Sequence, residues 1–293
     1  MTSDTVDARR IDAALVGALL REQFPAWASL PVRPVVPGGN DHRTFRLGEH
    51  LSVRLPSAPG YVPQVTKEQA WLPVLGPLLP LPVPAVRGVG RPSALFGAPW
   101  SVYGWLPGEQ AVAAPPDDPV ALATELAALL VALGEAPTDG APPPGEHSAW
   151  RGGPLAHWDD EVGDILGRLE GRERDRAAGL WRDALAAPST VRPRWFHGDV
   201  SFHNLLVRDG RLAAVVDFGC SGVGDPACDT VLVWTRLQGA ARRAYREGLA
   251  LDEGTWARGR GWALWKALVM LTNTPPGQAE LARHVLDELF AGV

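Results

Sequence analysis

The chain has 293 residues, and a hydrophobic fraction of 46% against 21% charged residues is typical of a globular protein. The formal net charge of −5 disfavours nucleic-acid binding, which normally requires a basic face, and is compatible with a cationic substrate. Two cysteines are too few for a disulfide framework, and no stretch reaches the ~20 apolar residues of a membrane span. We therefore expect a cytoplasmic protein without nucleic-acid or membrane partners, either a monomer or a homodimer.

The first hundred residues predict a small antiparallel sheet with one packed helix. An amphipathic helix opens the chain; two arginines before it could mark an export signal, but Asp12 interrupts the apolar run. Short strands separated by turns follow between Val32 and Leu55, and a helix is predicted from about Gln64 to Leu75. Two further extended segments, 85–88 and 100–105, complete this part.

From Pro107 onward the pattern becomes mainly helical. Asp117 or Asp118 can cap a helix whose leucines fall on one face. After a Pro/Gly-rich linker, one long helical stretch is predicted from about Trp158 to Leu185. Two short β-like runs, at 204–207 and 212–216, interrupt the helices before the chain turns helical again to its end.

The most informative segment contains His197-Gly198-Asp199 and, five residues beyond the aspartate, Asn204. Asp217-Phe218-Gly219 follows thirteen residues later. Phosphoryl transfer needs metal ligands that hold the triphosphate and a carboxylate that orients the attacking hydroxyl. Because Mg²⁺ prefers oxygen ligands, carboxylate and amide side chains are the expected types. Asp199, Asn204 and Asp217 supply these groups from a loop, from the end of that loop and from the end of a β-hairpin, so that separate segments can converge on one point.

This pattern, together with the following Gly224-Asp225-Pro226, resembles the signature of the aminoglycoside phosphotransferase family, whose fold is similar to that of the protein kinases. The resemblance implies an α+β bilobal fold. Residues 1–103 would form a nucleotide-binding lobe with a small antiparallel sheet. Residues 104–293 would form a larger, mostly helical lobe that carries the catalytic loop and the acceptor site.

The resemblance also implies a role for each residue of the signature. Asp199 would orient or deprotonate the acceptor hydroxyl, and His197 would support the catalytic loop. Asn204 and Asp217 would bind Mg²⁺. Asp225 would brace the loop through backbone hydrogen bonds. The implied activity is phosphorylation of a small hydroxylated molecule by ATP or GTP, with an antibiotic such as an aminoglycoside as acceptor.

In the first lobe, Gly38, Gly39 and Asn40 lie between two predicted strands, where backbone N–H groups could cover the nucleotide phosphates. Kinases place a lysine on the third strand and pair it with a glutamate of the next helix. The chain has no lysine before Lys67. We therefore expect Arg54 to take that place, with Glu68 as its partner.

The segment from Ser101 to Trp105 joins the two predicted lobes. In kinase-like folds the backbone of this linker hydrogen-bonds the purine base, so Ser101 and Tyr103 are nucleotide-binding candidates by position. Tryptophans 262 and 265 are expected in the core.

The acceptor is harder to read from the sequence. If it is cationic, carboxylates of the helical lobe would hold it. The candidates cluster near the start of one helix and in the last helix: Asp159, Asp160, Glu280, Asp287 and Glu288. The same charges could equally be solvated faces that complement helix dipoles.

Four other functions are weighed against this one. A metabolic kinase of the same fold, acting on choline, homoserine or methylthioribose, has the same motifs. A non-catalytic binding protein of kinase fold would be expected to have lost Asp199, Asn204 or Asp217, and all three are present. An α/β-hydrolase is disfavoured, because residues 219–224 fail the Gly-x-Ser-x-Gly spacing. The same run fails the dinucleotide-binding pattern.

Overall fold

The computed structural model describes residues 6–36, 38–39, 41–189, 191–272 and 278–291. The strands in these ranges are β1 (Val32–Pro34), β2 (His42–Leu47), β3 (Leu51–Pro56), β4 (Val86–Gly90), β5 (Trp100–Gly104), β6 (Glu109–Gln110), β7 (Arg194–Phe196), β8 (Leu205–Arg208), β9 (Arg211–Val215) and β10 (Gly222–Gly224). The helices are α1 (Ala13–Gln23), α2 (Val62–Leu75), α3 (Pro119–Gly134), α4 (Asp159–Leu166), α5 (Gly171–Ala186), α6 (Leu232–Thr235), α7 (Gly239–Leu249), α8 (Glu253–Thr272) and α9 (Gln278–Ala291).

The first lobe is built on an antiparallel five-stranded sheet with the order β1-β2-β3-β5-β4. Helix α1 covers one face of this sheet. Asp12 starts the helix by accepting a hydrogen bond from the backbone N–H of Leu15 at 2.8 Å. Val16, Leu19 and Leu20 then follow at helical spacing and are fully buried in a core of their own with the sheet.

Helix α2 belongs to both lobes. It follows β3 in the chain, yet its Leu72 and Leu75 are buried in the core of the helical lobe. Glu68 and Lys67, one turn earlier, are buried as well. Since buried ionisable groups need partners, this helix is expected to carry polar connections between the lobes.

The second lobe is helical around a large core. Asp118 caps α3 by accepting hydrogen bonds from the N–H groups of Val120 and Ala121. Helices α3 and α7 pack together, as do α5, α8 and α9. Trp195, Trp234 and Trp262 are almost completely buried. A three-stranded sheet, β6-β8-β9, and a two-stranded one, β7-β10, hold the loops that carry the signature residues.

The bilobal α+β architecture predicted from the sequence is confirmed. One predicted helix is wrong: the stretch from Trp158 to Leu185 is divided into α4 and α5 by residues 167–170. Gly171 adopts a φ of +57°, which ordinary residues resist and which lets the chain turn between the helices. The lobe boundary at 103 stays a prediction, and β5 ends one residue beyond it. Across the described ranges, every helix is too short or too polar to cross a bilayer.

Candidate active site

The loop that joins β7 to β8, residues 197–204, is fixed by a buried carboxylate. The backbone N–H groups of His197 and Gly198 donate to Asp229 at 2.8 and 2.7 Å. Gly198 has a φ of +86°, and a Cβ there would lie 2.4 Å from the carbonyl oxygen of Cys220. Only glycine fits at this position.

Asp229 thus does what the sequence analysis expected of Asp225, and that expectation is wrong. Asp225 instead accepts from the N–H of Ala227 and forms a 2.5 Å ion pair with Arg258 of α8. Asp229 lies four residues further along, in the short 3₁₀ turn that follows, and there it faces the loop. Burial raises the pKa of Asp229.

His197 lies buried between the two signature segments. Its Nδ1 accepts a hydrogen bond from the N–H of Asp199 at 3.3 Å, which leaves Nε2 to donate to the carbonyl oxygen of Val216 at 3.1 Å. Its ring also packs edge-on against Phe218. The histidine therefore ties the β7–β8 loop to the two neighbours of Asp217, the carbonyl group of Val216 and the ring of Phe218.

Asp199 is half-buried beside two cations. Lys266 of α8 lies 3.2 Å from its Oδ1, and the amide of Asn204 donates to its Oδ2 at 2.9 Å and to its backbone carbonyl at 2.8 Å. Burial alone would raise the pKa of Asp199, but Lys266 and then Arg151 lower it to about 2. The carboxylate is therefore ionised at neutral pH.

Asp217 faces this group from the other segment. Its φ of +67° is unusual for an aspartate and marks a strained, locally fixed backbone. Arg54 of β3 donates to its Oδ1 at 3.1 Å. Burial would raise the pKa of Asp217, but Arg54 and His42 hold it below its usual range.

The ion pair predicted between Arg54 and Glu68 is present, with 3.6 Å between Nη1 and Oε1. Glu68 also accepts a hydrogen bond from the hydroxyl of Tyr103 at 2.6 Å. Arg54 thus lies between two carboxylates, Glu68 and Asp217, one from each lobe. Whether it grips a phosphate stays a prediction.

The expected phosphate-covering turn is described only in part. Gly38 and Gly39 are exposed, and the carbonyl oxygen of Gly39 accepts from Arg43 at 2.9 Å. Asn40 lies outside the described residues. Just beyond the turn, His42 is buried with its Nδ1 3.3 Å from Arg54, and burial together with this cation lowers its pKa to about 3.

The structure does not bring the side chains of Ser101 and Tyr103 to the cleft. Both are buried, and their strand β5 is paired with β3 on one side and β4 on the other. Their backbone groups are therefore used within the sheet. The N–H of Trp105 also donates to the carbonyl oxygen of His50 at 2.8 Å, so linker N–H groups available for a base begin only after Trp105.

Asn204 and Asp217 fit Mg²⁺ by the chemistry of their donors. Because the amide nitrogen of Asn204 donates twice to Asp199, its carbonyl oxygen remains available as a ligand. Within the residues described, no three His, Cys, Asp or Glu side chains are grouped closely enough to bind a metal. Two protein oxygens suit Mg²⁺, which usually takes its other ligands from water and phosphate.

Two cavities meet at Asp199. The larger, about 540 Å³, lies between the lobes and is lined by Asp41, Tyr61 and Gln64 of the first lobe and by Glu146, Arg151 and Asp199 of the second. The smaller recess lies behind Asp199 against Trp262, Trp265 and Lys266. The tryptophans are buried, as predicted.

None of the five predicted acceptor carboxylates lines either of these cavities. Asp159 accepts a hydrogen bond from the indole of Trp181 at 2.7 Å, and Glu288 pairs with Arg242 at 2.5 Å. Asp160, Glu280 and Asp287 are exposed.

Sequence reasoning missed four residues of this region: Lys67, Arg151, Asp229 and Lys266. The Nζ of Lys67 donates to the carbonyl oxygens of Gly219 and Ser221, each at 2.6 Å, and so fastens α2 to the segment after Asp217. The lysines carried a signal, since the chain has only two. Asp229 lies four residues after Asp225, next to the signature, whereas Arg151 lies far in sequence from the loop it serves and no local pattern marks it.

Over residues 33–262 the chain matches the model of a family described as the phosphotransferase enzyme family. The GDP complex of wild-type aminoglycoside 2'-phosphotransferase-IIIa is similar in structure, with a TM-score of 0.77, 19% identity, and coverage of 96% of this chain and 99% of that one. Macrolide 2'-phosphotransferase MphH from Brachybacterium faecium has a TM-score of 0.61 and 20% identity, with coverage of 94% and 98%. At such identities the likeness establishes the fold. No curated protein sequence matches the chain.

Proposed function

Because the chain belongs to the phosphotransferase enzyme family, we propose that it transfers the terminal phosphoryl group of ATP or GTP to a hydroxyl of an antibiotic, in a Mg²⁺-dependent reaction. One observation carries the proposal. The ionised Asp199, the amide of Asn204 and the Asp217–Arg54 pair meet beside one cleft of about 540 Å³ between the lobes. Phosphoryl transfer requires this combination of carboxylate, metal ligands and cation.

Asp199 acts on the acceptor. A carboxylate with a pKa of about 2 is a weak base, so it is suited to accepting a hydrogen bond from the hydroxyl and to aligning its oxygen. Such alignment is the main requirement of a loose transition state, in which the nucleophile carries little charge. His197 and Asp229 hold the loop and thereby the position of the carboxylate.

Asn204 and Asp217 would hold the Mg²⁺, which would neutralise charge on the phosphate oxygens. Arg54 takes the place of the kinase lysine and, with Glu68 behind it, grips the phosphates from the first lobe. An arginine offers a planar fork that matches phosphate oxygens. Gly38, Gly39 and Asn40 would cover the phosphates, and the linker after Gly104 would meet the base.

The acceptor is proposed from the structural relatives. The solved structures that resemble the chain include a GDP and kanamycin complex of APH(2")-IIia, at a TM-score of 0.76 and 19% identity, besides the macrolide enzyme. We favour an aminoglycoside. Asp160, Glu280 and Asp287 are exposed but lie outside the lining of both cavities at Asp199, so they would hold only a part of the acceptor that extends beyond these cavities. Asp159 and Glu288 are weaker candidates, because each already has a partner.

A coupled assay of nucleotide turnover tests the proposal directly. Aminoglycosides, macrolides, peptide antibiotics and small hydroxylated metabolites would be screened with ATP and with GTP. We expect turnover with an antibiotic and none with Asp217→Ala, which removes a metal ligand. Turnover with a metabolite alone would favour the metabolic kinase, and no phosphorylation of any acceptor would contradict the proposal.

A further inference from the structure

Arg151 occupies a place that the mechanism above does not use. It lines both the 540 Å³ cleft between the lobes and the recess behind Asp199, and Asp199 is the other residue that the two linings share. Its charge is close enough to lower the pKa of Asp199, after Lys266. Arg151 therefore lies beside the carboxylate to which the proposed function assigns the acceptor hydroxyl.

The guanidinium of Arg151 is held in place without an ion pair. It lies 4.4 Å from the ring centroid of Trp265 and 5.7 Å from that of Trp262, both on α8. Among the described residues no carboxylate forms an ion pair with Arg151. Its Nη1 donates a hydrogen bond to the carbonyl oxygen of Ala149 at 3.3 Å. Stacking fixes the position of the cation and leaves most of its donors for a ligand.

The backbone around Arg151 is strained and closely fixed. Ala149 and Trp150, immediately before it, have φ angles of +47° and +57°. Gly152, immediately after it, has a φ of +73°, and its carbonyl oxygen accepts from the N–H of Asp225 at 2.8 Å. Non-glycine residues in this conformation persist where the surroundings enforce them, and such positions cluster at functional sites.

From this placement we infer that Arg151 is a catalytic residue, which contacts the phosphoryl group as it passes from the nucleotide to the acceptor. The inference rests on the proposed function. The hydroxyl oxygen forms a bond to the γ-phosphorus, the bond from that phosphorus to the β,γ-bridging oxygen breaks, and its electron pair leaves with the nucleoside diphosphate. The hydroxyl proton passes to Asp199. The guanidinium stabilises the charge on the phosphoryl oxygens during this exchange.

A competing role for Arg151 is recognition of an anionic group on the acceptor. The position of Arg151 beside Asp199 favours the phosphoryl group, because the hydroxyl that Asp199 aligns must meet that group there. The two roles differ in a reaction that needs no acceptor. Hydrolysis of the nucleotide replaces the hydroxyl with water, so a phosphoryl contact still matters and an acceptor contact does not.

The experiment compares wild type with Arg151→Met, Arg151→Lys and the control Arg172→Met, which removes an exposed arginine of α5. Acceptor-free hydrolysis is measured, together with affinity for the Mg²⁺–nucleoside diphosphate alone and with aluminium fluoride, which mimics the transferred phosphoryl group. We expect Arg151→Met to lower hydrolysis by roughly 10²–10³-fold and to weaken the aluminium fluoride complex, with diphosphate affinity unchanged. Arg151→Lys should recover part of both, and Arg172→Met should resemble wild type.

Each of the other outcomes contradicts a particular part of the inference or of the proposed function. Unchanged hydrolysis with a raised acceptor KM would assign Arg151 to the acceptor, and an equal loss of diphosphate affinity would assign it to ground-state binding. A wild-type protein that neither hydrolyses nucleotide nor phosphorylates any acceptor would overturn the proposed function itself. If Arg151→Met fails to fold in a thermal unfolding scan, Arg151→Lys tests the inference in its place. A wild-type rate of nucleotide hydrolysis in Arg151→Lys would show that the planar guanidinium is not needed.

Discussion

Asp199 is surrounded by groups that favour its charged form, and this limits what it can do. Lys266 neutralises it from one side, and Asn204 donates to its Oδ2 from another. A base this weak gains a proton only late, when the bond to phosphorus is largely formed. Asp199 therefore contributes mainly by placing the hydroxyl. Because its pKa is about 2, any loss of rate that begins above about pH 4 on the acidic side of a pH–rate profile should come from another group.

Asp199→Asn should lower kcat by roughly 10²–10⁴-fold, since an amide aligns a hydroxyl poorly and takes no proton. Nucleotide affinity should change little, because Asn204 and Asp217 remain. Steady-state kinetics and calorimetric nucleotide binding check both expectations, with the exposed Asp175→Asn of α5 as control. Turnover close to that of wild type would remove Asp199 from the mechanism.

Arg54 and Glu68 should behave as a unit. Arg54→Ala removes the cation between Asp217 and Glu68, so the nucleotide KM should rise and kcat should fall. Glu68→Ala should do the same less severely, because Asp217 still orients the arginine. A double-mutant cycle on kcat/KM measures the coupling, and strictly additive losses would show that the two residues act independently.

The sequence predicted those members of the site that share a short motif. Asp199, Asn204 and Asp217 lie within nineteen positions, and their residue types match one chemistry. The bracing carboxylate was misplaced by four residues, because Asp225 and Asp229 differ in which way they face, and only the packing decides that. Arg151 and Lys266 reach the site across 48 and 67 positions, a distance over which sequence patterns say nothing about contact.

At the scale of elements, α2 is the part that joins the lobes. Two adjacent residues of this helix face different partners: Glu68 pairs with Arg54, whereas Lys67 donates to Gly219 and Ser221. Burial lowers the pKa of Lys67 from 10.5 to about 8. The unfolded chain therefore holds a proton that the folded chain releases between about pH 8 and 10.5, so this group makes the free energy of unfolding rise with pH in that window.

Lys67→Met should reduce the rise of the free energy of unfolding between about pH 8 and 10.5. At about pH 9 it should also lower the free energy of unfolding by about 1–3 kcal/mol, because buried carbonyl groups lose their donor. Urea unfolding at a series of pH values, read beside the exposed neighbour Thr66→Met, measures both effects. The same slope in Lys67→Met and wild type would show that another group causes the pH dependence.

Elements were predicted well where periodicity was strong and capping was clear, as in α3 with Asp118. The division between α4 and α5 was not predicted, because the sequence of residues 167–170 favours neither a helix nor a turn decisively. The order of the two lobes could be predicted from the sequence because each lobe has a hydrophobic core of its own. Each core is assembled mainly from one lobe, and the first lobe contributes Leu72 and Leu75 of α2, Val83 and Tyr103 to the core of the other.

For the whole molecule, the net charge of −5 bears on the acceptor. An aminoglycoside held by exposed carboxylates should show a KM that climbs steeply with ionic strength, because the Debye length shrinks to ~3 Å at 1 M salt. Neutralising the pair on α9, Glu280→Gln with Asp287→Asn, should raise this KM further and leave the nucleotide KM unchanged. Steady-state kinetics at several salt concentrations measure the acceptor KM of wild type and of this variant. An acceptor KM that does not change with salt would argue for a neutral acceptor.

The placement of the two lysines has a practical consequence for chemical modification. Most proteins of this size carry many amines on their surface, and reagents that react with amines label them at random. Here such reagents meet two lysine side chains, one buried at Gly219 and one half-exposed beside Asp199. A fluorophore or a solid support attached through Lys266 would therefore be directed to the recess beside Asp199. Coupling through the two cysteines would be no safer, because Cys220 lines the 540 Å³ cleft that also reaches Asp199.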